Sequence, residues 1–127
     1  MPSSAATILV IDDDATIRLL LSAGLSKQGF HVLEAAGGPA GLAAFRTRRP
    51  DLVLIDVSMP GMDGFQVARA IGSESSIRTV PLVMLTGSDE PDIRRQAFEA
   101  GALDILTKPF QLLPLAERLR NLLGSAA

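Results

Sequence analysis

Five short apolar runs, Ile8–Ile11, Val32–Ala35, Leu52–Ile55, Leu82–Leu85 and Leu103–Leu106, recur every twenty to thirty residues along this chain. Runs this short and continuous suit strands buried on both faces, as in a parallel sheet. The segments between them carry helical spacing instead. Ile17, Leu20, Leu21, Gly24 and Leu25 follow the i, i+3, i+4 rule, with Asp14 placed to cap the helix. Pro39 falls in the first turn of the next, with Leu42 and Phe45 turned inward. Val67, Ala68 and Ile71 mark a third helix opened by Gly64, and Ile93 and Ala97 a fourth started by Pro91. Leu112, Leu115, Leu119 and Leu122 form the last stripe. All these stripes are assigned to the core. Strict strand–helix alternation implies one doubly wound α/β domain, a parallel sheet with helices on both faces joined by right-handed crossovers.

Composition narrows the function classes. A chain of 127 residues is sized for a single domain, 1–127 with a core of about 7–123, burying roughly two thirds of its unfolded surface. Apolar residues make up 47% and charged ones 20%, which is globular rather than disordered. The absence of cysteine excludes disulfides and thiolate metal sites and fits a reducing compartment. No apolar run approaches the ~20 residues of a membrane span, and the N-terminus lacks the pattern of a secretory signal. The expected location is cytoplasmic. Net charge is −2, and the one basic cluster, Arg46, Arg48 and Arg49, reads as a solvated helix end. Direct nucleic-acid or membrane binding is therefore not expected.

The strand ends carry the chemistry. After the first run come Asp12, Asp13 and Asp14; after the third, Asp56; after the fourth, Thr86-Gly87-Ser88; after the fifth, Lys108-Pro109. The second offers only Glu34. Ligands of open α/β sheets bind outside the carboxyl ends of the strands, so these side chains should converge there. Two carboxylates about 4 Å apart repel by roughly 4 kcal/mol at an effective dielectric near 20. Three acids beside one ammonium leave an excess of negative charge, which suits a hard cation such as Mg2+ with oxygen ligands. With no cysteine, and His31 far away in sequence, zinc and copper have little support. A cation, a lysine and a hydroxyl together can hold a phosphoryl group. Asp56 is the best nucleophile, because it closes a central strand while Asp12–Asp14 is crowded.

Four segments together resemble the receiver domain of two-component response regulators, of the chemotaxis-regulator type. They are Ile8-Leu9-Val10-Ile11-Asp12-Asp13-Asp14; Asp56 with Met59-Pro60-Gly61-Met62-Asp63-Gly64; Met84-Leu85-Thr86-Gly87; and Thr107-Lys108-Pro109-Phe110. The resemblance implies a flavodoxin-like sheet in the order 2-1-3-4-5 with five helices. It implies that Asp56 accepts a phosphoryl group from a sensor histidine kinase or phosphotransfer protein. Asp12, Asp13, Asp56 and the backbone carbonyl of Ser58 would hold Mg2+, Asp13 directly and Asp12 largely through water. Thr86 and Lys108 would contact phosphoryl oxygens, and the Lys108-Pro109 bond would be cis. Ser58 and Ser88 take two positions that modulate dephosphorylation in the family. Such a domain is a switch rather than an enzyme, catalysing only its own phosphorylation and dephosphorylation. Movement of Thr86 would bias a surface formed by the fourth helix, fifth strand and fifth helix toward a partner, an output domain or a phosphorylation-dependent homodimer. At the family's usual aromatic switch position, three before the lysine, this chain has Ile105.

Two rivals make different demands. A phosphatase or phosphotransferase of another α/β fold would use Asp12 as nucleophile and Asp14 as the second acid, leaving Asp56 idle. A pure interaction module would keep the fold without taking phosphate, and Ile105 is its only support. The Leu122-Leu123-Gly124 segment reads as a helix closed by a C-cap glycine, which favours a stand-alone domain over a piece of a longer regulator.

Overall fold

The computed structural model describes residues 5–74 and 80–125. The outermost residues of the 1–127 domain assignment therefore lie outside the described residues. Strands and helices alternate throughout: β1 (Thr7–Ile11), α1 (Ala15–Lys27), β2 (His31–Ala35), α2 (Gly38–Arg48), β3 (Leu52–Asp56), α3 (Gly64–Glu74), β4 (Leu82–Thr86), α4 (Pro91–Glu99), β5 (Asp104–Thr107) and α5 (Leu112–Ser125). All strand pairs are parallel, in the order β2-β1-β3-β4-β5. This is the flavodoxin-like doubly wound arrangement.

The continuous apolar runs follow from burial on both faces. Leu9, Ile11, Val53, Ile55 and Met84 face a core completed by Leu42 of α2, Val67, Ala68 and Ile71 of α3, and Ala97 of α4. Their alternating neighbours Ile8, Val10, Leu52, Leu54, Val83 and Leu85 face Leu21 and Leu25 of α1 and Leu115 and Leu119 of α5. A strand with helices above and below has no polar side, so the period-2 alternation of a one-sided sheet is missing. Edge strand β2, with one neighbour, is correspondingly the most exposed: His31 and Glu34 face solvent.

Local chemistry sets the helix starts. The Asp14 carboxylate accepts from the backbone N–H groups of Thr16 and Ile17 at 2.9 and 3.3 Å, capping α1 as expected. At α3, Asp63 Oδ1 accepts from the Gln66 N–H while Gln66 Oε1 accepts from the Asp63 N–H, both at 2.9 Å. This reciprocal pair is a capping box. Pro39 and Pro91 sit in the first turns of α2 and α4.

Three expectations change. Leu20, assigned to the core, is 58% exposed, because α1 turns Leu21 and Leu25, with partly buried Ile17, into the core and leaves Leu20 off that face. Leu103, assigned to the fifth strand, precedes it and is exposed; the inward residue there is Ile105. Gly124 lies inside α5 rather than after it, so it is not the residue that closes the helix. The argument from Gly124 for a stand-alone domain therefore falls away. The arginine cluster does end α2 in solvent, but Arg46 also grips Glu74 of α3 through two hydrogen bonds of 2.8 and 2.7 Å. That contact lowers the Glu74 carboxyl below its usual range and raises the Arg46 guanidinium.

Candidate functional site

Strand register carries the site from one strand to the next. Ile11 pairs with Ile55, so Asp12 and Asp56 are the next residues on adjacent central strands. Asp56 pairs with Leu85, which puts Thr86 one step beyond it, and Thr86 pairs with Thr107, which puts Lys108 one step beyond that. The sheet thus delivers all four residues to its carboxyl edge.

The side chains of Asp12, Asp56 and Lys108 meet there, while that of Thr86 is bonded to its own loop. Lys108 Nζ donates to Asp56 Oδ1 at 2.7 Å and lies 3.4 Å from Asp12 Oδ2. Carboxylate oxygens of Asp12, Asp13 and Asp56 come within 4.8 Å of one another. Asp12 and Asp56 are buried, whereas Asp13 faces solvent. Buried acids at the mouth of a sheet beside one exposed acid suit a cation that keeps part of its water. Burial pushes the Asp56 carboxyl above its ordinary value; the Lys108 hydrogen bond opposes this, and the charges of Asp12 and Asp13 reinforce it. Burial alone would lower the Lys108 ammonium, but its hydrogen bond to Asp56 and the charges of Asp56 and Asp12 outweigh that and raise it.

Asp12 is tied at every polar atom. Its N–H donates to the Ala35 carbonyl at 3.1 Å, and its Oδ1 accepts from the Asp14 N–H at 2.9 Å. Its carbonyl accepts from Arg18 Nη1 at 2.7 Å. Sequence reasoning does not single out Arg18; a basic residue six positions after Asp12 was the only signal available. Gly64 is required by close approach, since a Cβ there would stand 2.3 Å from the Asp56 carbonyl oxygen and 2.9 Å from the Val57 Cα. The Gly64 N–H instead donates to the Val57 carbonyl at 2.9 Å, closing the loop behind Asp56.

Thr86 is buried, and its Oγ1 accepts from the Ser88 N–H at 3.1 Å. Ser88 Oγ in turn accepts from the N–H of Glu90, the residue that starts α4, at 3.2 Å. Ser58 is exposed in the loop after Asp56, lining a groove with Met59, Pro60, Phe65 and Ile93. Ile105 is 4% exposed and packs in the core shared with α3 and α4. The Lys108-Pro109 bond is cis. Glu34 takes no part in the cluster and pairs with Arg18 at 3.5 Å, and His31 lies at the opposite end of the sheet, paired with Thr7.

The family model of the response regulator receiver domain matches residues 8–120. This chain belongs to that family. The receiver is 43% identical over 119 residues to the response regulator PleD of Caulobacter vibrioides, covering 93% of this chain and 26% of PleD. It is 38% identical over 117 residues to the phosphate regulon transcriptional regulatory protein PhoB of Pseudomonas aeruginosa, covering 92% of this chain and 51% of PhoB. The chain thus spans about a quarter to a half of the length of these relatives. Among solved structures, the chemotaxis protein CheY4 of Vibrio cholerae superposes with a TM-score of 0.88 at 33% identity, covering 92% of this chain and 98% of CheY4. A CheY-like receiver domain from Methanospirillum hungatei superposes with a TM-score of 0.90 at 26% identity, covering 97% of each chain. The receiver is accordingly a domain of phosphorylation-based two-component signalling, a family whose members work with histidine kinases and output domains. No helix among the described residues is long and apolar enough to cross a membrane.

Proposed function

We propose that this receiver is a switch whose phosphoacceptor is Asp56, charged by a sensor histidine kinase or phosphotransfer protein in the presence of Mg2+. The observation that carries the proposal is the meeting of Asp56, Lys108, Asp12 and Asp13 at one sheet edge, with Lys108 bonded to Asp56 at 2.7 Å. Asp56 attacks the donor phosphorus and forms an acyl phosphate, and the donor imidazole leaves. Lys108, already at Asp56, is placed to neutralise oxygens of the incoming group, and the Thr86 hydroxyl can donate to another. Asp12, Asp13 and Asp56, with the Ser58 backbone carbonyl, are the groups that would hold Mg2+. When bound, that cation supplies positive charge against the acids and the phosphoryl oxygens. Self-phosphorylation and dephosphorylation are the only reactions assigned, and the domain acts on no separate substrate.

The rival with Asp12 as nucleophile loses support from the same geometry. Asp12 is 1% exposed, with Oδ1 held by the Asp14 N–H and Oδ2 facing Lys108. Asp14, its required second acid, is committed to capping α1.

Output follows from Thr86. A phosphoryl group adds up to two negative charges and three acceptor oxygens. Turning the Thr86 hydroxyl toward them acts on its bond from the Ser88 N–H, and so on the chain of contacts that leads through Ser88 to the start of α4. This biases the α4–β5–α5 surface toward a downstream partner, an output domain or a second copy. Buried Ile105 moves with that surface by packing rather than by aromatic rotation.

The test is intact-mass analysis with Mg2+ and acetyl phosphate. Wild type gains one labile phosphoryl group and Asp56→Asn gains none. A surviving adduct in Asp56→Asn moves the acceptor elsewhere, and no adduct in wild type removes the proposal.

A further inference from the structure

Beside the three carboxylates lies a largely buried cation that pairs with none of their side chains among the described residues. Arg18 stands on α1 just inside the turn capped by Asp14, with 19% of its side chain exposed. Its Nη1 donates to the Asp12 backbone carbonyl at 2.7 Å, and its Nε lies 3.5 Å from Glu34 Oε1 on β2. Its own backbone N–H donates to the Asp14 carbonyl at 3.0 Å. One residue is thus bonded to the turn before α1 through both its main chain and its side chain.

We infer that Arg18 is a positioning residue for the cation site, fixing the β1–α1 turn so that Asp12 and Asp13 stay converged on Asp56. The inference rests on the Mg2+ reading of that site. Carboxylate oxygens within 4.8 Å of one another repel, and repulsion acts first on the turn that carries two of the three acids. Of the other ties on Asp12, those to Ala35 and Asp14 are neutral backbone contacts or lie inside the same turn, and Lys108 reaches its carboxylate at 3.4 Å without touching the backbone of the turn. The Arg18 contact is charge-assisted and comes from a side chain held on its far side by Glu34, so it resists that displacement from outside the turn. Its positive charge also offsets part of the excess negative charge. Groups that orient metal ligands from behind commonly change metal affinity about 10- to 100-fold when removed.

The experiment is calorimetric Mg2+ titration of wild type, Arg18→Met and Arg18→Lys, paired with acetyl phosphate labelling across Mg2+ concentrations. Arg18→Met keeps an apolar stem and loses the donors. Its Mg2+ Kd should rise about tenfold, at the low end of that range. Its half-saturating Mg2+ for labelling should rise in step, while the rate at saturating Mg2+ stays close to wild type. Arg18→Lys, which keeps one charged donor, should recover part of the affinity. Glu34→Gln, which leaves the Asp12 contact in place, should shift Kd in the same direction by less, and it serves if Arg18→Met does not fold. A purely structural arginine would lower the melting temperature of Arg18→Met without moving Kd in the folded protein, and that result overturns the inference. Wild type that binds no Mg2+ removes the cation site itself, an outcome distinct from unchanged binding in the variants.

Discussion

Asp56 is buried where its charged form is disfavoured. Burial, the largest influence, raises its pKa above the ordinary 3.8, Lys108 opposes, and Asp12 and Asp13 add to the rise. The folded protein therefore keeps the Asp56 proton to higher pH than the unfolded chain does. Where folding takes up protons, stability falls as pH rises, so the Asp56 contribution is lost from the ordinary aspartate range up through its raised value. Above that window, ionised Asp56 is a net cost to the fold. In metal-free buffer at pH 7, Asp56→Asn should melt above wild type in scanning calorimetry, with the gap closing below pH 3.8. A lower melting point for the variant at pH 7 would mean that the Lys108 bond outweighs burial. Lys108 has the same sign in a higher range: its raised pKa supports the fold fully below its ordinary 10.5, and that support is lost as pH rises through the raised value.

Elements matter here through their ends. β3 stops at Asp56 and α3 begins at Gly64, with the intervening loop folded tightly behind the acid. Gly64→Ala would push a methyl into the Asp56 carbonyl oxygen at 2.3 Å, a backbone atom that cannot move without shifting the acid. The expected cost is about 1–3 kcal/mol in urea unfolding, with slower acetyl phosphate labelling because Asp56 is displaced. A Gly64→Ala protein with wild-type stability and labelling would show that the loop yields freely. The need for glycine at this point is a tertiary matter. The sequence marks Gly64 as a helix opener, but the close approach of the Asp56 carbonyl comes from how β3 and α3 are joined. Caps, by contrast, are local: the Asp14 cap was readable from its place before an apolar-periodic segment, because its partners are two and three residues away.

At the scale of the molecule, the site is a product of register. Staggered pairing across β1, β3, β4 and β5 brings together residues as far apart as Asp12 and Lys108. A cation bound only by the folded arrangement raises stability by mass action, about 2.7 kcal/mol at a concentration 100-fold above Kd. The melting temperature of wild type should therefore climb with Mg2+, and Asp13→Asn should blunt the climb without unfolding, since Asp13 is exposed and outside the core. An equal climb in both proteins would exclude Asp13 from the site. The same scale explains the surface errors. The leucine run Leu19-Leu20-Leu21 offers three apolar side chains, yet one helix face meets the sheet, so Leu21 is fully buried while Leu19 and Leu20 stay exposed. Spacing alone could not tell Leu20 from Leu21, because both fit the i, i+3, i+4 rule when Ile17 is the reference.

The sequence by itself determined the alternation of strands and helices, the parallel double-sided sheet and the set of acids, hydroxyl and lysine at strand ends. Each of these depends on residue type and short spacing, which a linear chain displays directly. Only the tertiary structure decided which atoms touch: Lys108 on Asp56, Arg18 on the Asp12 carbonyl, Arg46 on Glu74, and the burial that raises Asp56. Those contacts join residues from different strands and helices, and their distances follow from strand register and helix docking, which are set by packing the whole core at once.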